Sequence, residues 1–148
     1  MAFIIFKYRQ KGRRHMIEWS INLESGNLNI DEQHKKLLEI MNNIGYILEN
    51  KNFEFEHLLQ VVTELDNYVV EHFAYEEMLM KNYSYPELEE HLFEHHHFRL
   101  KMKDINIYDV KNKEAFYYSI LNFISSWLLN HIKNIDRKLG LYIAQKST

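Results

Sequence analysis

The chain has 148 residues, 46% hydrophobic and 26% charged, which suits one domain with a single sizeable core. Its net charge of -3, with nine histidines taken as neutral, is too mild to make nucleic acid or an anionic membrane the main partner. With no cysteine it excludes disulfides, thiolate metal sites, iron–sulfur clusters and cysteine nucleophiles, so any metal is held by His, Asp or Glu.

Residues 1–15 join a short apolar start, Ala2 to Phe6, to a basic run of Lys7, Arg9, Lys11, Arg13 and Arg14. Five apolar residues are too few for a signal-peptide core, and no small-residue cleavage site follows. No apolar run approaches the ~18 residues that span a bilayer. We therefore expect a poorly ordered N-terminal extension over 1–15, a single domain over 16–148, and a cytoplasmic location, which a cysteine-free chain fits. Residues 17–30 contain the turn signal Ser25-Gly26-Asn27 and read as a loop arm packed on the domain, with Trp19 anchoring it in the core.

Four glycines and one proline leave little to interrupt long 3.6-residue patterns. The first helix starts near Asp31 as N-cap, with Gln33 and His34 in its first turn. Its stripe is Leu37, Leu38, Met41, Ile44 and Leu48, and it ends near Asn50. The second runs from about Glu54 to Lys81 with Leu58, Val61, Val62, Leu65 and Val69 on one face. Tyr83-Ser84-Tyr85-Pro86 forms a turn, and Pro86 suits the start of a third helix, which carries Leu88, Leu92, Phe98 and Met102 and fades near Asp104. The fourth runs from about Lys113 to Leu139 with Phe116, Ile120, Phe123, Ile124 and Trp127 inward, and Gly140 can cap its end. Four helices with short connections predict an all-α, antiparallel up-down-up-down four-helix bundle with an N-terminal loop arm.

Metal-capable residues interrupt each stripe. His34 precedes Leu37 and Leu38 by three and four residues, and His72 and Glu76 are four apart and extend the stripe through Leu65 and Val69. His91 and His95 are four apart between Leu88 and Phe98, and His131 is four after Trp127. Residues at i and i+4 share a helix face, so all four helices aim such groups inward. Burying them without partners costs several kcal/mol each, and a metal resolves the conflict. A lone inward histidine is more often a hydrogen-bonded core residue, but a set spread over four helices at one depth is hard to read that way. Asp136 is five residues after His131, about 140° around an ideal helix, and can join the set only if the helix bends or loosens there.

Ile30-Asp31-Glu32-Gln33-His34, His72-Phe73-Ala74-Tyr75-Glu76-Glu77, Tyr85-Pro86 with His91-Leu92-Phe93-Glu94-His95 and Phe98, and Trp127 with His131-Ile132-Lys133-Asn134-Ile135-Asp136 resemble, in order and spacing, the four motifs of the hemerythrins. The resemblance covers roughly residues 17–142. The basic leader, the extra His96 and His97, which we read as exposed, and His15 and His57 fall outside it.

The resemblance implies two iron ions bridged by Glu76, Asp136 and an oxo or hydroxo group. It gives His91, His95 and His131 to one iron and His34 and His72 to the other, which leaves the second iron one open position for molecular oxygen. Leu37, Phe73, Trp127 and Leu129 lie near these ligands in sequence and are candidate walls of a dry oxygen pocket, a role compatible with ordinary core packing. Iron is preferred over zinc or manganese on the resemblance alone, since histidine with bridging carboxylates suits several metals. The leading expectation is a non-enzymatic, reversible oxygen-binding protein for storage, delivery or scavenging, as a monomer or weak oligomer. The alternatives are an oxygen, redox or iron sensor acting through a partner, and a di-iron oxidase or peroxidase. The latter is ranked lower because such enzymes favour carboxylate-rich sites. A metal-free helical interaction module is disfavoured by the buried His and Glu set.

Overall fold

The computed structural model describes residues 17–147. The basic extension expected to be poorly ordered lies outside the described residues. Four long helical rods make an antiparallel bundle, with no strand among the described residues: α1 (Leu28–Asn50), α2 (Phe55–Asn82), α3 (Leu88–Lys103), and a last rod built from α4 (Lys113–Asn130), a π-helical segment (His131–Asp136) and α5 (Arg137–Lys146). α1 packs on α2 and α4, and α2 packs on α3.

The N-cap of α1 lies four residues earlier than the sequence pattern suggests. It is Asn27, whose side chain accepts hydrogen bonds from the backbone N–H groups of Asn29 and Ile30. Asp31 is therefore not the cap. It is buried in the first turn, and its Oδ1 accepts from the Ser25 backbone N–H at 2.7 Å, tying the preceding arm to the helix. Both residues are good capping types, and the one nearer the Ser25-Gly26 turn wins because the chain has already turned there, with Gly26 at φ 91°. α1 ends at Lys51, in the left-handed conformation. Pro86 stands in the turn before α3, which starts at Leu88.

Gly140 does not end the last helix, which continues to Lys146. A Cβ at Gly140 would lie 2.2 Å from the Ser25 carbonyl oxygen, so this glycine is where the arm crosses the last rod at backbone distance. The rest of the arm packs along the bundle. Leu23 is buried, and Trp19 is half-buried at the rim of the core rather than inside it.

The apolar interior falls into two parts. The larger joins Leu37, Met41 and Ile44 of α1, Leu58, Leu65 and Phe73 of α2, Phe98 of α3, and Tyr117, Ile124 and Leu128 of α4. The smaller joins Ile30, Leu79, Met80, Tyr85, Leu139 and Ile143. Along every rod, the metal-capable residues fall at the junction of these two clusters, so the polar centre is sealed above and below by hydrocarbon.

Candidate metal centre

His34 comes from α1, His72 and Glu76 from α2, His91 and His95 from α3, and His131 and Asp136 from the two ends of the π-helical segment. All seven side chains are buried, none more than 1% exposed. The bundle brings every one of these sequence-expected residues together. Glu76, His91, His95, His131 and Asp136 form one group, and His34, His72, Glu76 and Asp136 a second, with the donor atoms of each group within 4.8 Å of one another.

The π-helical turn explains how Asp136 reaches the site. The Arg137 N–H bonds to the Ile132 carbonyl five residues back, a wider turn than an α-helix makes. Residues five apart then share a face, and His131 Nε2 comes to 2.9 Å from Asp136 Oδ1.

All five imidazoles aim Nε2 at the two carboxylates. His34 Nε2 is 2.9 Å from Asp136 Oδ2, and His95 Nε2 is 3.1 Å from Glu76 Oε2. His91 Nε2 is 3.3 Å from both Glu76 Oε2 and Asp136 Oδ1. His72 Nε2 is 3.5 Å from Glu76 Oε2 and 3.9 Å from Asp136 Oδ2. Yet Nε2 of His72, His91 and His131, Oε1 of Glu76 and Oδ1 of Asp136 have no aligned hydrogen-bond partner. Donor atoms that converge without bonding to one another suit a third body between them, and imidazole nitrogen with carboxylate oxygen is the donor chemistry of a first-row metal. The residues present therefore fit a pair of cations sharing Glu76 and Asp136.

The electrostatics point the same way. Burial, then the neighbouring Asp136 charge, pushes the Glu76 carboxyl up to about 8. Burial opposes a charged His91, but the Asp136 and Glu76 carboxylates 3.3 Å away overcome it and raise His91 to about 9. Burial, then the charges of neighbouring histidines, lowers His72 and His95 well below the usual imidazole range. Burial would raise Asp136, but the His131 charge beside it wins and holds it well below the usual carboxylate range. Two carboxylates in hydrocarbon need positive charge, and where no cation supplies it, protons must.

Two outward ring nitrogens are held by residues that periodicity did not single out. His72 Nδ1 is 2.8 Å from Gln33 Oε1, and His95 Nδ1 is 3.1 Å from Glu77 Oε1. Glu77 also accepts from Arg99 Nη1 at 2.9 Å, and the Arg99 guanidinium lies over the Phe73 ring. Both lie next to a candidate ligand in sequence, so an outer polar residue beside an inward His or Glu was the available signal.

Of the candidate pocket residues, Phe73 stacks on His95 at 3.8 Å and Trp127 on His131 at 4.3 Å, so both wall the three-histidine end. Leu37 is buried one turn after His34, toward the two-histidine end. The side chain of Leu129 lies outside the described residues. Tyr68, which the sequence reading passed over, stacks on His72 with ring centroids 5.0 Å apart, and His34 meets the same ring edge-on at 4.9 Å. His96 and His97 are exposed, as expected.

Residues 26–142 match the family model described as the hemerythrin HHE cation binding domain. The chain belongs to the hemerythrin family. Its hemerythrin domain is 29% identical to the bacteriohemerythrin of Clostridium acetobutylicum over 126 residues, 83% of this chain and 98% of that relative. It is 32% identical to the bacteriohemerythrin of Pseudomonas aeruginosa over 124 residues, 82% of this chain and 77% of that relative. A hemerythrin-like protein of Naegleria gruberi is 28% identical over 120 residues, 81% of this chain and 87% of that relative. The hemerythrin domain thus has a helical bundle with buried His, Glu and Asp groups suited to metal. Among the described residues, no helix is long and apolar enough to cross a membrane.

Proposed function

We propose that this hemerythrin domain holds two iron ions and binds molecular oxygen reversibly at one of them, without turning a substrate over. The observation that carries this reading is the uneven split of five imidazoles, three against two, around a shared pair of carboxylates. His91, His95 and His131 with Glu76 and Asp136 would hold one iron, and His34 and His72 with the same carboxylates the other. When bound, the irons supply the two electrons that reversible oxygen binding needs.

The chain's own residues do the rest. Asp136 turns Oδ1 to His91 and His131 and Oδ2 to His34 and His72, and Glu76 faces both groups through Oε2, so the two carboxylates would hold the irons side by side. The two-histidine end is one nitrogen donor short of its neighbour, so the protein leaves a ligand position there, by the logic that separates a reactive metal site from a closed structural one. Phe73 and Trp127 lay ring faces on His95 and His131, which limits water at the three-histidine end and locks those imidazoles in orientation. The flanking apolar clusters keep the dielectric low, which favours a bound state that adds no net charge.

The test is to load the purified protein with ferrous iron without air, count iron per chain, and record the visible spectrum before and after admitting oxygen. The expected result is two irons per chain and a visible band that appears with air and fades when oxygen is removed. Iron that oxidises at once with no reversible band would shift the reading to redox sensing or oxidase chemistry. A protein that holds no iron and folds equally well without it would overturn the reading outright.

A further inference from the structure

Tyr68 lies one turn before His72 and two turns before Glu76, on the inward stripe of α2. Its ring lies nearly parallel to the His72 ring, 19° apart, at the end of the centre that has two histidines rather than three. The residue is 5% exposed, and its hydroxyl is buried with no hydrogen-bond partner among the described residues. Such a hydroxyl is a liability in a folded protein, because its bond to water is lost and nothing replaces it. A phenylalanine would fill the same space at no such cost, so packing does not account for the oxygen atom.

The hydroxyl stands within the field of the centre. A phenol keeps its proton at neutral pH, so the buried hydroxyl is an O–H donor facing this end of the centre. The contrast with the other end of the centre is direct. There the imidazoles of His95 and His131 are covered by the ring faces of Phe73 and Trp127, and although the Trp127 indole N–H is also buried without a partner, it belongs to the three-histidine end, which has no open ligand position.

We propose that the Tyr68 hydroxyl donates a hydrogen bond to the small oxygen-bearing or anionic ligand taken up at the two-histidine end of the centre, and is a ligand-contacting residue rather than a packing one. This rests on the di-iron reading above. It makes the ligand cavity polar at one point instead of apolar throughout. The bond forms only when a ligand with an acceptor atom arrives, so the donor stays unsatisfied until then.

The test uses Tyr68→Phe in the full chain, with azide as the probe on the iron-loaded, oxidised protein, and melting of the metal-free protein as a second readout. The variant should keep two irons per chain and bind azide about tenfold more weakly, the loss expected for one hydrogen bond to a charged acceptor. Its metal-free form should melt at the wild-type temperature or higher, because an unsatisfied buried group has been removed. Azide affinity within twofold of wild type overturns the inference and leaves Tyr68 a packing residue. A metal-free variant that melts several degrees lower, or one that no longer holds both irons, also overturns it, by showing that the hydroxyl supports the fold or the ligand set. A wild type that holds no iron fails the reading beneath, which is a different result from a wild type that binds azide and a variant that binds it equally well.

Discussion

His72 and His95 use both ring nitrogens, one toward the carboxylates and one toward an outer oxygen acceptor, Gln33 Oε1 or Glu77 Oε1. An acceptor on Nδ1 fixes which nitrogen carries the proton and leaves the Nε2 lone pair free for a metal. Gln33→Ala should therefore weaken retention of the iron at the two-histidine end by roughly 10–100-fold, while the other iron stays in place. Competition with a coloured chelator, followed by counting iron per chain, measures this, and two irons held as tightly as in the wild type would refute it. The inward histidines and Glu76 were legible from four-residue spacing alone, because a helix repeats its face at that interval. Gln33 and Glu77 were not, since each lies one position around the helix from its neighbouring ligand. Tyr68 did carry the spacing, four before His72, but an aromatic in an apolar stripe reads as core until its hydroxyl is found without a partner.

Most element boundaries were legible to within about four residues, the end of the last rod excepted, which was expected near Leu139 and lies at Lys146, and the departures have physical causes. α3 illustrates what hydropathy misses. Its buried face is His91, His95, Phe98 and Met102, half of it imidazole, so an apolar stripe alone would scarcely mark the helix. Asp31 and Gly140 were both read as helix ends and are both contacts of the arm: Asp31 accepts from the Ser25 N–H, and Gly140 admits the Ser25 carbonyl. A glycine near the end of a stripe looks the same whether it ends a helix or lets another backbone approach, and only the fold distinguishes the two. Gly140→Ala would place a methyl 2.2 Å from a backbone oxygen, so the arm or the last rod must shift. We expect a loss of about 1–3 kcal/mol in urea unfolding, the usual cost of overpacking. A change below about 0.5 kcal/mol, the range of an ordinary surface substitution, would mean that the arm does not lie against Gly140 in solution.

At the scale of the molecule, the two apolar clusters enclose a polar layer that draws on every rod of the bundle, so a metal bound there would be coupled to folding. Loading should raise the melting temperature of the protein, with a gain of about 2.7 kcal/mol when free iron is 100 times its dissociation constant. It should also release protons. His91, raised to about 9, and Glu76, raised to about 8, both hold protons at neutral pH that cations must displace. The sign follows directly: affinity for ferrous iron rises as pH climbs from 7 toward 9. Calorimetric titrations at several pH values, in buffers of different ionisation enthalpy, count the protons, and a pH-independent affinity would contradict the coupling. The bundle and most of its centre could be read as periodic pattern, whereas the place of Asp136 could not, because there the period itself changes. The π-helical segment acts as a phase slip in the last rod, and everything after it is set by how many residues it holds. Lys133 and Asn134 are exposed, so their identities are free to vary, but their number is not. Were the same residues to close as an α-helix, all that follows would turn by about 100°, carrying Leu139 and Ile143 out of the smaller cluster and Gly140 away from Ser25. Between His131 and Asp136, Ile132 is held by its place in the larger core, while the exposed positions are constrained by count rather than by letter.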